Sequence, residues 1–247
     1  LDGTYRPYPG GTKLDDAADS INGKATLNLG PYSAAKTFSW IKDSYSGKHV
    51  SMPMPMGVTK TDDFLKKLSE LFGKPVPESL KEERGRAVDA MTDAHQYIHN
   101  KKFAVYGDPD QLLGYVSFLL EMGAKPYHIL CSKGTKKLEK EIQALLDTSP
   151  YGAGCKIYIN KDLWHMRSLL MTDPVDAMIG DTHGKFAARD AGIPLFRFGF
   201  PIFDRVNKHR YPIIGYQGVV NMLTEICNKF LDITDETCED RFFEMMR

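Results

Sequence analysis

Residues 101–131 read KKFAVYGDPDQLLGYVSFLLEMGAKPYHILC. Two short apolar runs, KKFAVYG and KPYHILC, flank a longer segment with helical spacing, DPDQLLGYVSFLLEMG. A strand, a helix and a second strand of this length form a βαβ unit, which brings its strands together in parallel. The same alternation continues downstream. KKLEKEIQALLD is a helix, KIYI a strand, KDLWHMRSLLM a helix, VDAMIG a strand, HGKFAARDAG a short helix and IPLFRFG a strand. A long helix follows, with Val219, Val220, Leu223, Ile226, Cys227, Phe230 and Leu231 on a core-facing stripe. Residues 101–247 thus read as a complete doubly wound α/β domain of about five parallel strands.

Upstream the pattern changes. DDAADSIN and SAAKTFSWIKDS read as helices, ATLNL and HVSMPM as short strands. A further helix is expected from Thr61, with Asp62 and Asp63 in its first turn and a stripe of Phe64, Leu65, Leu68, Leu71 and Phe72. Two strands cannot bury both faces of a parallel sheet. Residues 1–75 therefore read as part of an α/β domain whose other strands lie upstream, or as a segment docked on the second domain. Residues 76–100 read as a linking helix.

Composition narrows the function classes. The 247 residues are 42% hydrophobic and 26% charged, with formal net charge +0. That balance suits a soluble protein with a sizeable core and gives no electrostatic reason to expect nucleic acid or an anionic membrane as partner. No apolar run approaches the ~20 residues of a membrane span. The opening LDGTYRPYPGG lacks the basic and apolar regions of a secretory leader. Cys131, Cys155, Cys227 and Cys238 form no C-x-x-C and read as reduced thiols in a cytoplasmic protein.

Several stretches could carry chemistry. On the linking helix, Leu80, Ala87, Val88, Met91, Ala94 and Ile98 share one side. Asp89 and Asp93, one turn apart, lie roughly opposite with Glu82 and Arg86. Carboxylates paired in this way can ligate a hard cation. The same stripe also reads as a solvated face with Glu82–Arg86 and Arg86–Asp89 ion pairs. HQYIH, His95 to His99, imitates the zinc-protease H-E-x-x-H, but Gln96 replaces the general base. One packed and one exposed histidine are expected there. There is no P-loop and no G-x-G-x-x-G; SKGTKK, residues 132–137, is only a weak anion-loop candidate.

IGDTHGKF (179–186) and FGFPIFDRVNKHR (198–210) leave the carboxyl ends of adjacent strands, where doubly wound folds bind ligands or partners. Phe200, Ile202 and Phe203 beside Asp204, Arg205 and His209 would form a mixed apolar and charged surface. The alternative is a structural loop in which Asp and Arg pair internally.

Taken in order, the stretch 56–110 (MGVTKTDDFLKKLSELFGKPVPESLKEERGRAVDAMTDAHQYIHNKKFAVYGDPD), KDLWHMRSLL, IGDTHGKF and GFPIFDR resemble the beta subunits of nitrogenase molybdenum-iron proteins. The opening YPGGTKLDDAADSINGKATL and the terminal Arg247 resemble them too. The resemblance covers essentially the whole chain but only the C-terminal half or so of such a subunit. It implies doubly wound domains of the nitrogenase component 1 type and an α2β2 heterotetramer with the alpha subunit and a second beta subunit. It also implies an ATP-driven iron protein as electron donor. In that family a P-cluster iron-sulfur centre relays electrons to the iron-molybdenum cofactor in alpha, where dinitrogen is reduced to ammonia. The beta-side cluster cysteines of the family match no cysteine here, so this stretch would supply scaffold and interface, and alone would be inactive. Asp89 and Asp93 match family positions that ligate a metal, calcium or iron, bridging two beta subunits. Departures exist: Asp181-Thr182-His183 stands where the family commonly has Asn-Ser-Tyr. Val206 to Arg210 replaces a histidine-rich run, and an insertion before IPLFRFG is lacking. A non-catalytic scaffold for cofactor assembly is the alternative member of the same family.

Overall fold

Lys102–Tyr106 and Lys125–Cys131 pair in parallel, joined by a helix over Pro109–Glu121, so the βαβ unit read from residues 101–131 is the start of the sheet. The computed structural model describes residues 13–239; the start of the opening stretch and terminal Arg247 lie outside the described residues. By contacts the chain divides into Leu1–Met52 and Pro53–Arg247.

In the first unit, α1 (Leu14–Asp19), β1 (Thr26–Asn28), α2 (Ala35–Ser44) and β2 (His49–Ser51) follow in order. β1 and β2 form a two-stranded parallel ladder. Neither helix has a buried residue, and Trp40 is exposed.

The second unit holds α3 (Val58–Phe72), α4 (Glu78–Ile98), β3 (Lys102–Tyr106), α5 (Pro109–Glu121), β4 (Lys125–Cys131), α6 (Lys136–Asp147) and β5 (Lys156–Ile159). It continues with α7 (Leu163–Thr172), β6 (Ala177–Gly180), α8 (Lys185–Asp190), β7 (Leu195–Arg197) and α9 (Gly215–Thr237). The five strands are parallel in the order β5-β4-β3-β6-β7. The chain enters at the centre, winds out to β5, and returns to β6, which is the doubly wound pattern expected. Phe103, Ala104, Val105, Ile129, Ala177, Met178 and Ile179 are completely buried, as a sheet covered on both faces requires.

The expected boundaries at residues 75 and 100 are not where contacts divide the chain. α3 and α4 belong to the larger unit because both pack with α9. Asp62 of α3 accepts from the Tyr216 hydroxyl of α9 (2.6 Å) and from Arg84 Nε of α4 (2.9 Å), tying the three helices together. α3 also begins at Val58, three residues before the expected Thr61, and has no acid in its first turn. Its free amides find a remote carboxylate instead. Glu121, the last residue of α5, accepts from Val58 N (2.9 Å) and Thr59 N (2.8 Å). Gly57, at φ 88°, permits that approach, since a Cβ there would sit 2.5 Å from Glu121 Oε2.

The loops after β6 and β7 meet at Asp204, which pairs with Arg197 of β7 and is bonded by Thr182 from the loop after β6. Arg197 forks onto Asp204, with Nε 2.9 Å from Oδ1 and Nη2 2.8 Å from Oδ2. Thr182 Oγ1 donates to Asp204 Oδ1 (2.8 Å) and accepts from Phe203 N (3.2 Å). Arg197 Nη1 also donates to Leu195 O (3.1 Å), occupying a carbonyl of edge strand β7. Burial alone would raise the Asp204 carboxyl, but the Arg197 and Thr182 bonds prevail and hold it below the usual carboxylate range.

Two measurements check this framework. Gly180→Ala would drive a Cβ to 2.0 Å from the Tyr106 ring and is expected to cost about 3 kcal/mol. Gly85→Ala, on α4 with nothing within 4 Å, is expected to stabilise by about 0.5–1 kcal/mol in the same urea titration. Asp204→Asn leaves the Arg197 guanidinium without its anion and is expected to cost about 3 kcal/mol at pH 7. Because the folded carboxyl is depressed, its contribution is complete above the unfolded value of about 4 and is lost as pH falls through the folded value. The gap between wild type and variant should therefore shrink towards pH 2; an equal gap at both pH values would contradict the assignment.

Candidate functional site

Ligands of doubly wound folds sit where the strand order reverses, here at the carboxyl ends of β3 and β6. That crevice is filled from within. Gly180 and Gly184 have no side chains, so the Tyr106 ring lies against both. Its hydroxyl donates to Asp181 O (2.6 Å) and accepts from Gly184 N (2.8 Å). Burial first, then the nearby Asp181 charge, pushes this phenol far above its ordinary range, so it stays a neutral donor. Tyr115, also buried, packs in the same region. Sequence reasoning missed Tyr106; only the glycines of IGDTHGKF hinted at a close approach there.

The loops themselves do two things. Asp181 Oδ1 accepts from His183 N (2.8 Å) and lies 3.0 Å from His183 Nδ1, and the His183 ring meets Phe203 edge-on at 5.7 Å. Asp204 and Arg197 pair internally, as the structural alternative supposed, although the arginine comes from the strand itself. Arg205 adds a longer contact to Asp204 at 3.5 Å. Phe200, Phe203 and Val206 nonetheless stand 79%, 66% and 89% exposed. Three large apolar side chains are thus exposed within seven positions. The His209 side chain lies outside what is described. SKGTKK is a packed turn: Thr135 caps α6 by accepting from Leu138 N, and a Cβ on Gly134 would strike Ile159 at 2.4 Å.

On α4, Ala87, Ala94 and Ile98 are buried, whereas Val88 is exposed despite its expected place on the apolar side. Asp89 and Asp93 are both exposed, one turn apart. The helix's recorded ion pairs are Lys81–Glu78 and Arg84–Asp62 rather than the Arg86 pairs expected. Among the described residues, no three histidine, cysteine, aspartate or glutamate side chains gather as a metal-binding group. Two aspartates fall short of the 6–8 oxygens that calcium takes. His95 is exposed and His99 part-buried, as expected.

The cysteines do not fit an iron-sulfur cluster. None of the four is in a disulfide, and among the described residues they do not gather into the group that cluster ligation needs. Burial pushes the Cys131 thiol up and those of Cys155 and Cys227 up to about 11. Cys155 Sγ donates to Tyr151 O, and Cys227 Sγ contacts Ala94 O. No helix among the described residues is long and apolar enough to cross a membrane.

Comparison with known proteins gives the family. The nitrogenase molybdenum-iron protein beta chain of Nostoc sp. is 52% identical over 95% of this chain and 46% of its own length. The beta chain of Azotobacter vinelandii is 46% identical, again over 95% of this chain and 46% of the relative. A solved nitrogenase Cp1 chain superposes with a TM-score of 0.90 at 37% identity, over 98% of this chain and 53% of that one. This chain thus spans about half the length of the curated relatives it matches. A family model described as nitrogenase component 1 type oxidoreductase matches residues 1–231. The chain belongs to the nitrogenase component 1 type oxidoreductase family.

Proposed function

We propose that this chain is the C-terminal part of a beta subunit of nitrogenase component 1 and acts there as scaffold and subunit interface. The carrying observation is 46–52% identity, over 95% of the chain, to relatives named as molybdenum-iron protein beta chains. In this reading the complete complex reduces dinitrogen to ammonia. Electrons come from an ATP-driven iron protein and pass through a P-cluster to an iron-molybdenum cofactor in the alpha subunit. The cluster ligands on the beta side would come from residues outside this chain, because the cysteines here do not gather into a group. The partners would be an alpha subunit and a second beta subunit in an α2β2 assembly, in the cytoplasm. Two observations support an interface role. The β3–β6 crevice is plugged by Tyr106 rather than open to a small ligand, and the exposed Phe200, Phe203 and Val206 offer an apolar face.

The same reading gives Asp89 and Asp93 a task. They would ligate a calcium or iron ion shared between two beta subunits, the remaining oxygens coming from the partner and from upstream residues. Their exposure and incomplete ligand count fit a site finished only on assembly. Such an ion favours the tetramer by mass action, by about 2.7 kcal/mol when its concentration is 100 times its dissociation constant. Asp89→Asn with Asp93→Asn in the complete complex keeps size and removes the charge. Bound calcium and iron, with tetramer dissociation by ultracentrifugation, provide the check. The expected result is loss of the interfacial metal and weaker assembly; unchanged metal and assembly would reduce the pair to a solvated stripe.

A further inference from the structure

β7 is an outer strand of the sheet, and a cleft of about 510 Å³ lies along it between α8, the loop after β7 and α9. Six cations line it: Lys185 and Arg189 of α8, Arg197 at the end of β7, Arg205 and Lys208 of the loop, and Lys229 of α9. Glu225 is the acid on its wall. The whole chain has 32 lysines and arginines against 32 acids, so this surplus is a local arrangement. The floor, from Ala188, Ile193, Leu195 and Phe196, carries no counter-charge. Two of the six cations are engaged within the protein. Arg197 is buried and gives Nε and Nη2 to Asp204. Lys208 pairs with Glu225. The other four are held loosely. Lys185 and Arg189 stand over the Phe186 ring, 4.8 and 5.2 Å from its centroid. Arg205 reaches the Asp204 carboxylate only at 3.5 Å, because Arg197 already holds it. Lys229 meets Asp232, one turn along α9, at 3.7 Å, an exposed contact that contributes little.

We propose that this cleft binds a small oligophosphate through Lys185, Arg189, Arg205 and Lys229. Guanidinium and ammonium groups both give charge-assisted hydrogen bonds to phosphoryl oxygens. The four enter the cleft from three separate elements, an arrangement that suits a compact ligand with acceptor oxygens on several sides. An extended acidic peptide is the less favoured occupant. Such a peptide gains most by adding a strand to a sheet edge, and Arg197 Nη1 already occupies the Leu195 carbonyl of β7. An occupant must therefore be held by side chains. The apolar floor strengthens that hold, because it keeps water from one side of the ligand and lowers the local dielectric. Asp204 and Glu225 do not oppose it, since each is already neutralised by its own cation. The cleft shares no residue with the Asp89–Asp93 pair, and the inference does not depend on the subunit role proposed above.

The test is calorimetric titration of the 247-residue chain with sodium tripolyphosphate at fixed pH and ionic strength. Wild type is compared with Arg189→Gln, with Arg205→Gln and with both together. A control pair, Lys136→Gln with Lys140→Gln, removes the same charge from a basic hollow on α6. Arg189 and Arg205 are exposed, so their variants fold, which circular dichroism verifies. One tripolyphosphate per chain is expected. Each cleft substitution should weaken binding about tenfold, whereas the α6 pair should leave it unchanged. Tripolyphosphate should raise the Tm of wild type and of the α6 pair but not that of the cleft double variant. Hexaglutamate at equal charge should not compete. No saturable binding by wild type, or equal weakening by the α6 pair, would overturn the proposal and leave ordinary surface charge. Displacement of tripolyphosphate by hexaglutamate would overturn it too, and would assign the cleft to an acidic protein segment.

Discussion

Tyr106 packs flat against Gly180 and Gly184 at the centre of the sheet, and the carboxyl end of the domain is arranged around that approach. A side chain at either glycine would collide with the phenol. With both absent, one hydroxyl bonds the carbonyl of Asp181 and the amide of Gly184, so it fixes the turn between β6 and α8. That turn carries Thr182, which supports Asp204, which holds Arg197. A single close approach thereby positions two loops. It also occupies the crevice that an enzyme of this architecture would use for a ligand. The same end of the domain leaves Phe200 and Phe203 exposed on the loop after β7.

Much of this was legible in the sequence because the signals were local. Alternating apolar runs and helical stripes gave β3 to α9 in the right order, and the parallel pairing followed from connection length. What escaped detection depends on contacts between distant residues. The start of α3 is set by Glu121, 63 positions from Val58, and no capping residue beside the helix announces it. By contacts the chain divides at Pro53 for a similar reason: the sequence reads α3 as part of the first segment and α4 as a linking helix, yet Asp62, Arg84 and Tyr216 bind both to α9. Val88 met the helical period but faces solvent, because periodicity gives a direction and not the breadth of the covering surface. At the loops, the residue types alone left open whether Asp204 and its arginine would meet each other or a partner.

The candidate metal positions show a second limit. Asp89 and Asp93 share a face in sequence and in structure, yet their geometry is that of any exposed helix. Only the count of oxygens turns the observation into an argument, since a pair too small for the ion it suits must be completed from elsewhere. The four thiols give the converse case. Cysteine is a cluster ligand only as a group, and among the described residues no three cysteine, histidine or acidic side chains gather.

The carboxylate of Glu121 has a consequence for synthesis. Translation releases α3 from the ribosome before α5 exists, so its first amides emerge with no partner and wait on water. Helices short of their caps fray. The strands and helices from β3 onward find their contacts within one βαβ unit and can close as they appear. The contacts that finish α3 therefore come from later in the chain: its first amides need Glu121, and its packing needs α9. The Phe64–Leu71 stripe stays without its full cover until α9, the last helix described, has also been made.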